Sequence, residues 1–347
     1  MDEEDEEWEE EEDDEEAQEE DWEEEEDETF DDELSTGPET LGPTEAPLPR
    51  EGFKAGFIAL IGRPNVGKST LMNRLLGRKL SIISPKPQTT RHRILGVKTL
   101  PQAQLLFLDT PGIHRAQVLL NREMVKAALK AAGEADLILW MVDAEDPFTD
   151  DDQLILEALQ KARVPLLLAI NKVDLVKKET LLPLIERFRQ RLPFKEIVPI
   201  SATEGDNVER LEELLITYLP EGHPFYPEDQ LTDRSERFFI AELIREKVHH
   251  FCHQEIPYAV AVEVESFKER KERPLVEIQA TIYVEKDSQK GIVIGAGGRM
   301  LKKIGEIARQ EIEAFLGTQV FLHLWVKVRP AWRKDEHALK EFGYFQR

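Results

Sequence analysis

The chain has one cysteine, Cys252, in 347 residues. No intrachain disulfide can form, and a reducing, cytoplasmic compartment is the expectation. It lacks any run of about eighteen apolar residues, the length a helix needs to cross a bilayer, so no membrane-spanning helix is expected. It has no Lys or Arg among residues 1–34, where 26 Asp and Glu stand. The start therefore reads as neither a secretory signal nor a transit peptide. No internal repeat is present. What remains is 41% hydrophobic, enough for real cores, in a chain long enough for two domains. The net charge of −25 is a local property: with those 26 acidic residues set aside, residues 35–347 carry +1. A near-neutral body is compatible with a nucleic-acid partner, which a uniformly acidic surface would repel.

Along the chain, residues 1–34 are a block of like charge with Trp8, Trp22 and Phe30 scattered through it. Self-repulsion and too little apolar surface predict disorder. A Pro-rich linker follows to residue 51. The tail is either a solvating appendage or an acidic decoy that competes within the chain for a basic RNA-binding face. The second reading requires deletion of residues 1–50 to change RNA affinity and its salt slope. Residues 52–221 alternate apolar strands (57–61, 94–100, 104–108, 136–142, 166–170 and 197–200) with amphipathic helices (69–76, 118–132, 150–162, 180–191 and 208–219). Such alternation predicts an α/β domain, a mostly parallel sheet with helices on both faces. Residues 222–230, rich in Pro and Gly, read as an interdomain linker. Residues 231–347 follow a different, α+β pattern: a helix at 235–251, strands at 259–266 and 275–285, a helix at 300–316 and a strand at 320–328.

The first domain opens on a strand followed by G-x-x-x-x-G-K-S and a helix. Gly62, Arg63, Pro64, Asn65, Val66, Gly67, Lys68, Ser69 and Thr70 thus have the context of a phosphate-binding loop. Its backbone N–H groups and the helix N-terminus make a concave anion site. Lys68 is placed to reach the β- and γ-phosphates and the Ser69 hydroxyl to ligate Mg²⁺. Asp109, Thr110, Pro111 and Gly112 form D-x-x-G directly after a strand. There a carboxylate can hold a metal-bound water and a glycine N–H can approach the γ-phosphate. Asn171, Lys172, Val173 and Asp174 form N-K-x-D after the next buried strand. Guanine presents two adjacent donors that the Asp174 carboxylate can accept and adenine does not, so this residue selects GTP over ATP. Asn171 can tie its loop to the phosphate loop, and the Lys172 stem can cover the base. Ser201 and Ala202 offer a small residue whose N–H can approach the guanine carbonyl. A threonine from the polar stretch 87–93 can complete the Mg²⁺ shell, with Thr90 favoured and Thr89 the alternative.

A further absence bears on catalysis. In Ras-like enzymes a glutamine after D-x-x-G positions the attacking water; here Ile113 has no polar atom. The Asn65 side-chain oxygen beside the phosphates could instead help bind a monovalent cation, K⁺, at the place of an arginine finger. On this reading Lys68, Asn65, Thr90 and Gly112 are the catalytic group.

In the second domain, I-G-x-x-G precedes an apolar and basic helix. A GxxG loop between two helices clamps four nucleotides of single-stranded RNA. The candidate contacts are Lys290, Gly291, Ile294, Gly295, Ala296, Gly297, Gly298, Arg299, Lys302 and Lys303. Residues 290–340 hold ten Lys and Arg against five Asp and Glu, a surface suited to phosphates. The plainer alternative is a solvated helix face.

Together these segments resemble the Era family of GTPases over residues 52–347. The resemblance rests on G-R-P-N-V-G-K-S-T-L at 62–71, P-Q-T-T-R-H-R at 87–93, D-T-P-G-I-H at 109–114, N-K-V-D at 171–174, S-A at 201–202 and K-G-I-V-I-G-A-G-G at 290–298. It implies a GTP-hydrolysing assembly factor for the small (30S) ribosomal subunit, with a type II KH domain bound near the 3′ end of 16S ribosomal RNA. It also implies GTP/GDP and Mg²⁺ as ligands, K⁺-dependent hydrolysis, a monomer, and peripheral association with the inner membrane. An RNA-binding chaperone whose nucleotide domain is mainly structural is the alternative. Two departures stand out. Ala296 and Gly297 occupy loop positions where the family often has a basic residue, which weakens the clamp or leaves its charge to Arg299 and Lys290. The acidic tail has no counterpart in the family pattern.

Overall fold

The computed structural model describes residues 52–345, apart from Pro85, Pro87, 116–117 and 271–273. The acidic tail and Pro-rich linker expected at 1–51 lie outside the described residues.

The first sheet is built on β1 (Lys54–Ile61). Ile58 and Leu60 point into one core while Ala59 and Ile61 point into another, so the strand reads as an unbroken apolar run. Around it lie β2 (Ile94–Leu100), β3 (Ala103–Asp109), β4 (Leu137–Asp143), β5 (Leu166–Asn171) and β6 (Glu196–Pro199), in the order β2-β3-β1-β4-β5-β6. Only β2 runs antiparallel to its neighbour. One face is covered by α1 (Lys68–Leu76) and α5 (Val208–Tyr218). The other is covered by α2 (Leu119–Glu134), α3 (Asp150–Leu159) and α4 (Leu181–Arg189). α2 shows why such a segment is helical. Leu120, Met124, Ala128 and Ala131 are its buried residues, and that spacing puts them on one stripe. α3 starts at Thr149, whose hydroxyl accepts from the Asp152 N–H while the Asp152 carboxylate accepts from the Thr149 N–H. The helix stops at Leu159, short of the expected 162.

The second sheet has three strands, β7 (Ala261–Arg270), β8 (Leu275–Val284) and β9 (Gln319–Val328), in that order. β7 and β8 are antiparallel, β8 and β9 parallel. Against one face pack α6 (Glu236–Phe251) and α9 (Arg299–Leu316), through Ile240, Ile244 and Val248 and through Ile304, Ala308 and Ile312. Three short helices, α7 (Ile256–Ala259), α8 (Asp287–Ile294) and α10 (Glu336–Glu341), have no counterpart in the sequence expectation. α7 occupies the place where a strand was expected to begin, because Pro257 sits in its first turn and cannot donate to a ladder. α8 precedes the glycine loop. After β9, Trp332 and α10 fold back to form a small core with Leu120 and Met124 of α2.

Residues 222–230, expected to be a linker, are tied to the first sheet. The buried Gln104 side chain accepts from the N–H groups of Phe225 (2.6 Å) and Tyr226 (3.0 Å) and donates to the Tyr226 carbonyl (2.7 Å). Phe225 also lies against Phe57, with ring centroids 5.3 Å apart.

Candidate nucleotide site and RNA groove

At the carboxyl ends of β1 and β3, the place where open parallel sheets bind ligands, lies a cleft of about 400 Å³. It is lined by Pro64, Asn65, Gly67, Lys68, Ser69, Thr70, Gly112, Asn171, Lys172 and Asp174, with Thr89 and Thr90 on a further wall. The phosphate-loop glycines are required by close approach. A Cβ at Gly62 would sit 2.5 Å from the Met141 carbonyl oxygen, and one at Gly67 would sit 2.3 Å from Asn171 Nδ2. A Cβ at Gly112 would sit 2.4 Å from the Pro64 nitrogen, so D-x-x-G is seated directly on the phosphate loop.

Lys68 is buried, and its ammonium donates to the carbonyls of Gly62 and Arg63, both at 2.9 Å. Burial brings its pKa down to about 8, with Asp109 opposing. Ser69 Oγ lies 2.7 Å from Asp109 Oδ2 and 2.9 Å from Thr90 Oγ1. Burial holds the Asp109 carboxyl above the ordinary range, with the Lys68 charge opposing. Asp109 Oδ1 is buried with no hydrogen-bond partner. Three hard oxygens this close together, one on a carboxylate with an unused lone-pair edge, fit a Mg²⁺ shell. Of the two candidate threonines, Thr90 is beside Ser69, whereas the Thr89 hydroxyl donates to the Lys86 carbonyl at 2.7 Å.

Asn171 is buried between two loops: Nδ2 donates to the Val66 carbonyl (2.7 Å) and Oδ1 accepts from the Ala202 N–H (2.9 Å). That N–H, expected to face the base, is thus engaged by Asn171. Lys172 donates to Asp143 Oδ2 at 2.6 Å, and Asp174 lies exposed at the rim. Several expected residues do not line the cleft. Arg63 turns toward Asp152 (3.4 Å) and Asp146 (3.5 Å). Val66 is core, and the Thr110 hydroxyl donates to the Leu60 carbonyl. Pro111 is buried, and the Val173 N–H is spent on the Ile200 carbonyl. Ser201 is buried, its hydroxyl accepting from the Glu204 N–H. Ile113 points into the core beside Ala59 and Ile61, which excludes it from polar work at the phosphates. Gln88 and His114, whose residue types alone signal no role here, meet at 3.2 Å, and Gln88 lines the cleft.

The wall formed by Thr89 and Thr90 continues into the second half of the molecule. The next residue, Arg91, is buried and donates to the carbonyls of Val260 (2.6 Å), Pro257 (2.9 Å) and Tyr258 (3.0 Å). His92 stacks on Tyr344, with centroids 4.5 Å apart and planes at 12°. From the other side Arg245 of α6 donates to the Thr89 carbonyl at 2.5 Å. Arg245 is held by two bonds to Glu242 (2.7 and 2.6 Å). Burial alone would raise the Glu242 pKa, but the adjoining guanidinium brings it below the usual value.

In the second half, Gly295, Gly297 and Gly298 all have positive φ (73°, 60° and 77°). The last of them opens α9. Beside the loop runs a groove of about 420 Å³ lined by Gly298, Lys302, Gly305 and Arg309 of the loop and α9 and by Leu322 and Leu324 of β9. Arg299 is exposed and its Nε donates to the Ala296 carbonyl at 3.2 Å. Lys303 turns away, its Nζ 4.3 Å from the centre of the Phe251 ring, and Ile294 packs on the core. Gly291, Ala296 and Gly297 are exposed, and Lys290 is half-buried. The β9 side of the groove was not foreseen; the even-numbered leucines of an alternating strand were its only signal.

Residues 57–172 match the family model of the 50S ribosome-binding GTPases, and residues 255–333 match that of the KH domain. The chain is 55% identical over 292 residues to GTPase Era of Geobacter metallireducens, covering 84% of this chain and 98% of that one. It belongs to the Era family of GTPases. GTPase Era of Geotalea daltonii is 52% identical over 297 residues, covered in full. Among solved structures, Era in complex with MgGDPNP and nucleotides 1506–1542 of 16S ribosomal RNA superposes with a TM-score of 0.81 at 43% identity. The match covers 85% of this chain and all of that one. A single-residue variant of Era from Aquifex aeolicus bound to GDP·AlF4⁻ also gives 0.81, at 42% identity. As an Era-family GTPase the chain joins a P-loop GTP-hydrolysing domain to a KH domain. Among the described residues no helix is long and apolar enough to cross a membrane.

Proposed function

We propose that this Era-family GTPase is a GTP-driven switch that binds the 3′ region of 16S ribosomal RNA through its KH groove and assists assembly of the small ribosomal subunit. The observation that carries this reading is the adjacency of Thr90, beside Ser69 and Asp109, to Arg91, which is anchored on the KH backbone. Asp174 selects guanine, and Asn171 holds the base loop against the phosphate loop. Ser69, Thr90 and, through a water, Asp109 would hold Mg²⁺. Bound there, the ion would offset charge on the β- and γ-phosphates. Lys68 would exchange its two carbonyl partners for phosphate oxygens. The complex of the 43% identical Era with nucleotides 1506–1542 of 16S ribosomal RNA supports 16S RNA as the ligand. The GTPase works in the cytoplasm, as a monomer, with peripheral contact to the inner membrane.

The deciding experiment compares affinity for an RNA copy of the 16S 3′ end with GDP and with a non-hydrolysable GTP analogue. Tighter binding in the GTP form is expected. Equal affinity in both forms, with RNA bound, would favour an RNA chaperone whose nucleotide domain is structural.

With Ile113 in the core, Asn65, which lines the cleft in a left-handed backbone conformation, would help hold a K⁺, and the ion would supply positive charge for the β–γ bridge. Hydrolysis should run faster in KCl than in NaCl, and Asn65→Ala should remove the difference. Equal rates in both salts for the unaltered protein would rule the cation out.

A further inference from the structure

Along β9 the even-numbered residues point toward the helices, and Leu322 and Leu324 line the KH groove. By the alternation of a strand, the odd-numbered residues stand on the opposite face. There Phe321, His323 and Trp325 form a row. Phe321 is 52% and Trp325 42% exposed, values that set them apart from core aromatics such as Trp332 at 0%. Phe321 and His323 centroids are 4.5 Å apart, edge to face. His323 and Trp325 are 5.7 Å apart with planes only 14° from parallel. β9 is an edge strand of its sheet, so this row stands one strand-width from open solvent. Behind it, in register on β8, stand Glu277, Gln279 and Thr281 rather than apolar residues. Among the described residues Phe321 and Trp325 remain exposed, whereas the upper part of the same face is closed by Tyr283 against Phe342.

We infer that this ring row is a stacking platform for nucleobases of single-stranded RNA that extend beyond the KH groove. The inference rests on the groove's being an RNA site. A GxxG clamp holds four nucleotides, so a longer strand leaving it must cross a neighbouring surface. The neighbouring surface here is the edge of β9, which supplies one wall of the groove with its even residues and the rings with its odd ones. Three rings in line, with polar side chains beside them on β8, match the platforms on which single strands stack without sequence demands. Most nearby charges are paired: Lys327 with Glu265 at 3.0 Å and Arg270 with Glu277 at 2.8 Å, with exposed Lys268 in register beside Glu277. The platform therefore adds stacking and little electrostatic attraction. That balance distinguishes it from the basic loop flanks and gives it a separate signature.

The test uses the full chain with the GTP analogue bound, and measures affinity for a tetraribonucleotide and for a twelve-residue RNA of the same 5′ or 3′ sequence. The double variant Phe321→Ala/Trp325→Ala should bind the long RNA roughly 10²-fold more weakly, about tenfold per ring. Its affinity for the tetramer and the salt slope for the long RNA should not change. Phe321→Tyr/Trp325→Phe, which keeps the rings, should bind the long RNA as the unaltered protein does and so excludes a folding defect. Unchanged long-RNA affinity in the alanine variant overturns the platform, and so does an equal loss for both lengths. Gly297→Asp, which puts a carboxylate in the loop, separates the two readings. Loss of both RNAs in Gly297→Asp, with only the long one lost in the ring variant, supports both; if Gly297→Asp leaves both RNAs bound, the groove reading fails and the extension from it falls as well, whatever the ring variant does.

Discussion

Gly112 shows how little room the nucleotide site leaves at a single position. Its Cα approaches Pro64 so closely that an added methyl would overlap the phosphate-loop backbone at 2.4 Å. That overlap cannot be relieved by turning a side chain. Gly112→Ala should therefore displace D-x-x-G from the phosphate loop. Because misplacement by about 1 Å can cost 10²-fold in rate, turnover should fall by about that much. Binding of GDP, which lacks the γ-phosphate this glycine would meet, should be nearly unchanged. Single-turnover hydrolysis beside a GDP titration checks both halves. Lys68 makes a related point about electrostatics. Its pKa of about 8 reflects burial, with Asp109 opposing; the negative charge of incoming phosphates would favour the ammonium and raise it again.

At the scale of elements, α3 begins where Thr149 and Asp152 exchange hydrogen bonds. Thr149→Ala should cost about 1 kcal/mol of stability, with hydrolysis unchanged, since neither residue lines the cleft. Denaturant midpoints at constant slope would measure it. The elements also show what could be read in the sequence and what could not. The strands of the first domain were legible because burial on both faces writes a continuous apolar run, and each nucleotide motif fell just after one of them. α8 was not, because its Gly291 and β-branched Ile292, Val293 and Ile294 weaken the helical signal. Nor was the tether of residues 222–230 legible: Gln104 reads as one polar residue in a strand, and its partners lie more than a hundred positions away. The same holds for Arg91, which the family motif singled out and whose three carbonyl acceptors are 166 to 169 residues distant. Local pattern finds the residue; only the fold finds its partner.

At the scale of the whole molecule, the two halves meet around groups that burial holds in fixed protonation states. His92, half-buried against Tyr344 and Phe238, has its pKa lowered from 6.5 to about 4, chiefly by loss of hydration. The unfolded chain therefore binds the proton more readily than the folded one. The stability this residue contributes is present above pH 6.5 and is lost as pH falls toward 4, at up to about 1.4 kcal/mol per unit. His92→Phe should keep the ring contacts and flatten the dependence, so melting temperatures of the two proteins should diverge between pH 6.5 and 4. Arg91→Ala should act differently. It strands three buried carbonyls and removes the anchor next to Thr90. RNA affinity should then no longer distinguish GTP from GDP, while the intrinsic hydrolysis rate stays within a few-fold. Retained nucleotide dependence of RNA binding in that variant would show that the message travels another way.

Adjacent Cα atoms in a trans chain are 3.8 Å apart, and Thr90 and Arg91 are adjacent. A shift of Thr90 thus reaches Arg91 across a single peptide bond, and Arg91 hands it to the KH backbone through three guanidinium hydrogen bonds of 2.6 to 3.0 Å. Such bonds weaken steeply once stretched or bent. The contact therefore works as a latch: a small shift of Thr90 carries the three carbonyls along, and a larger one lets them go.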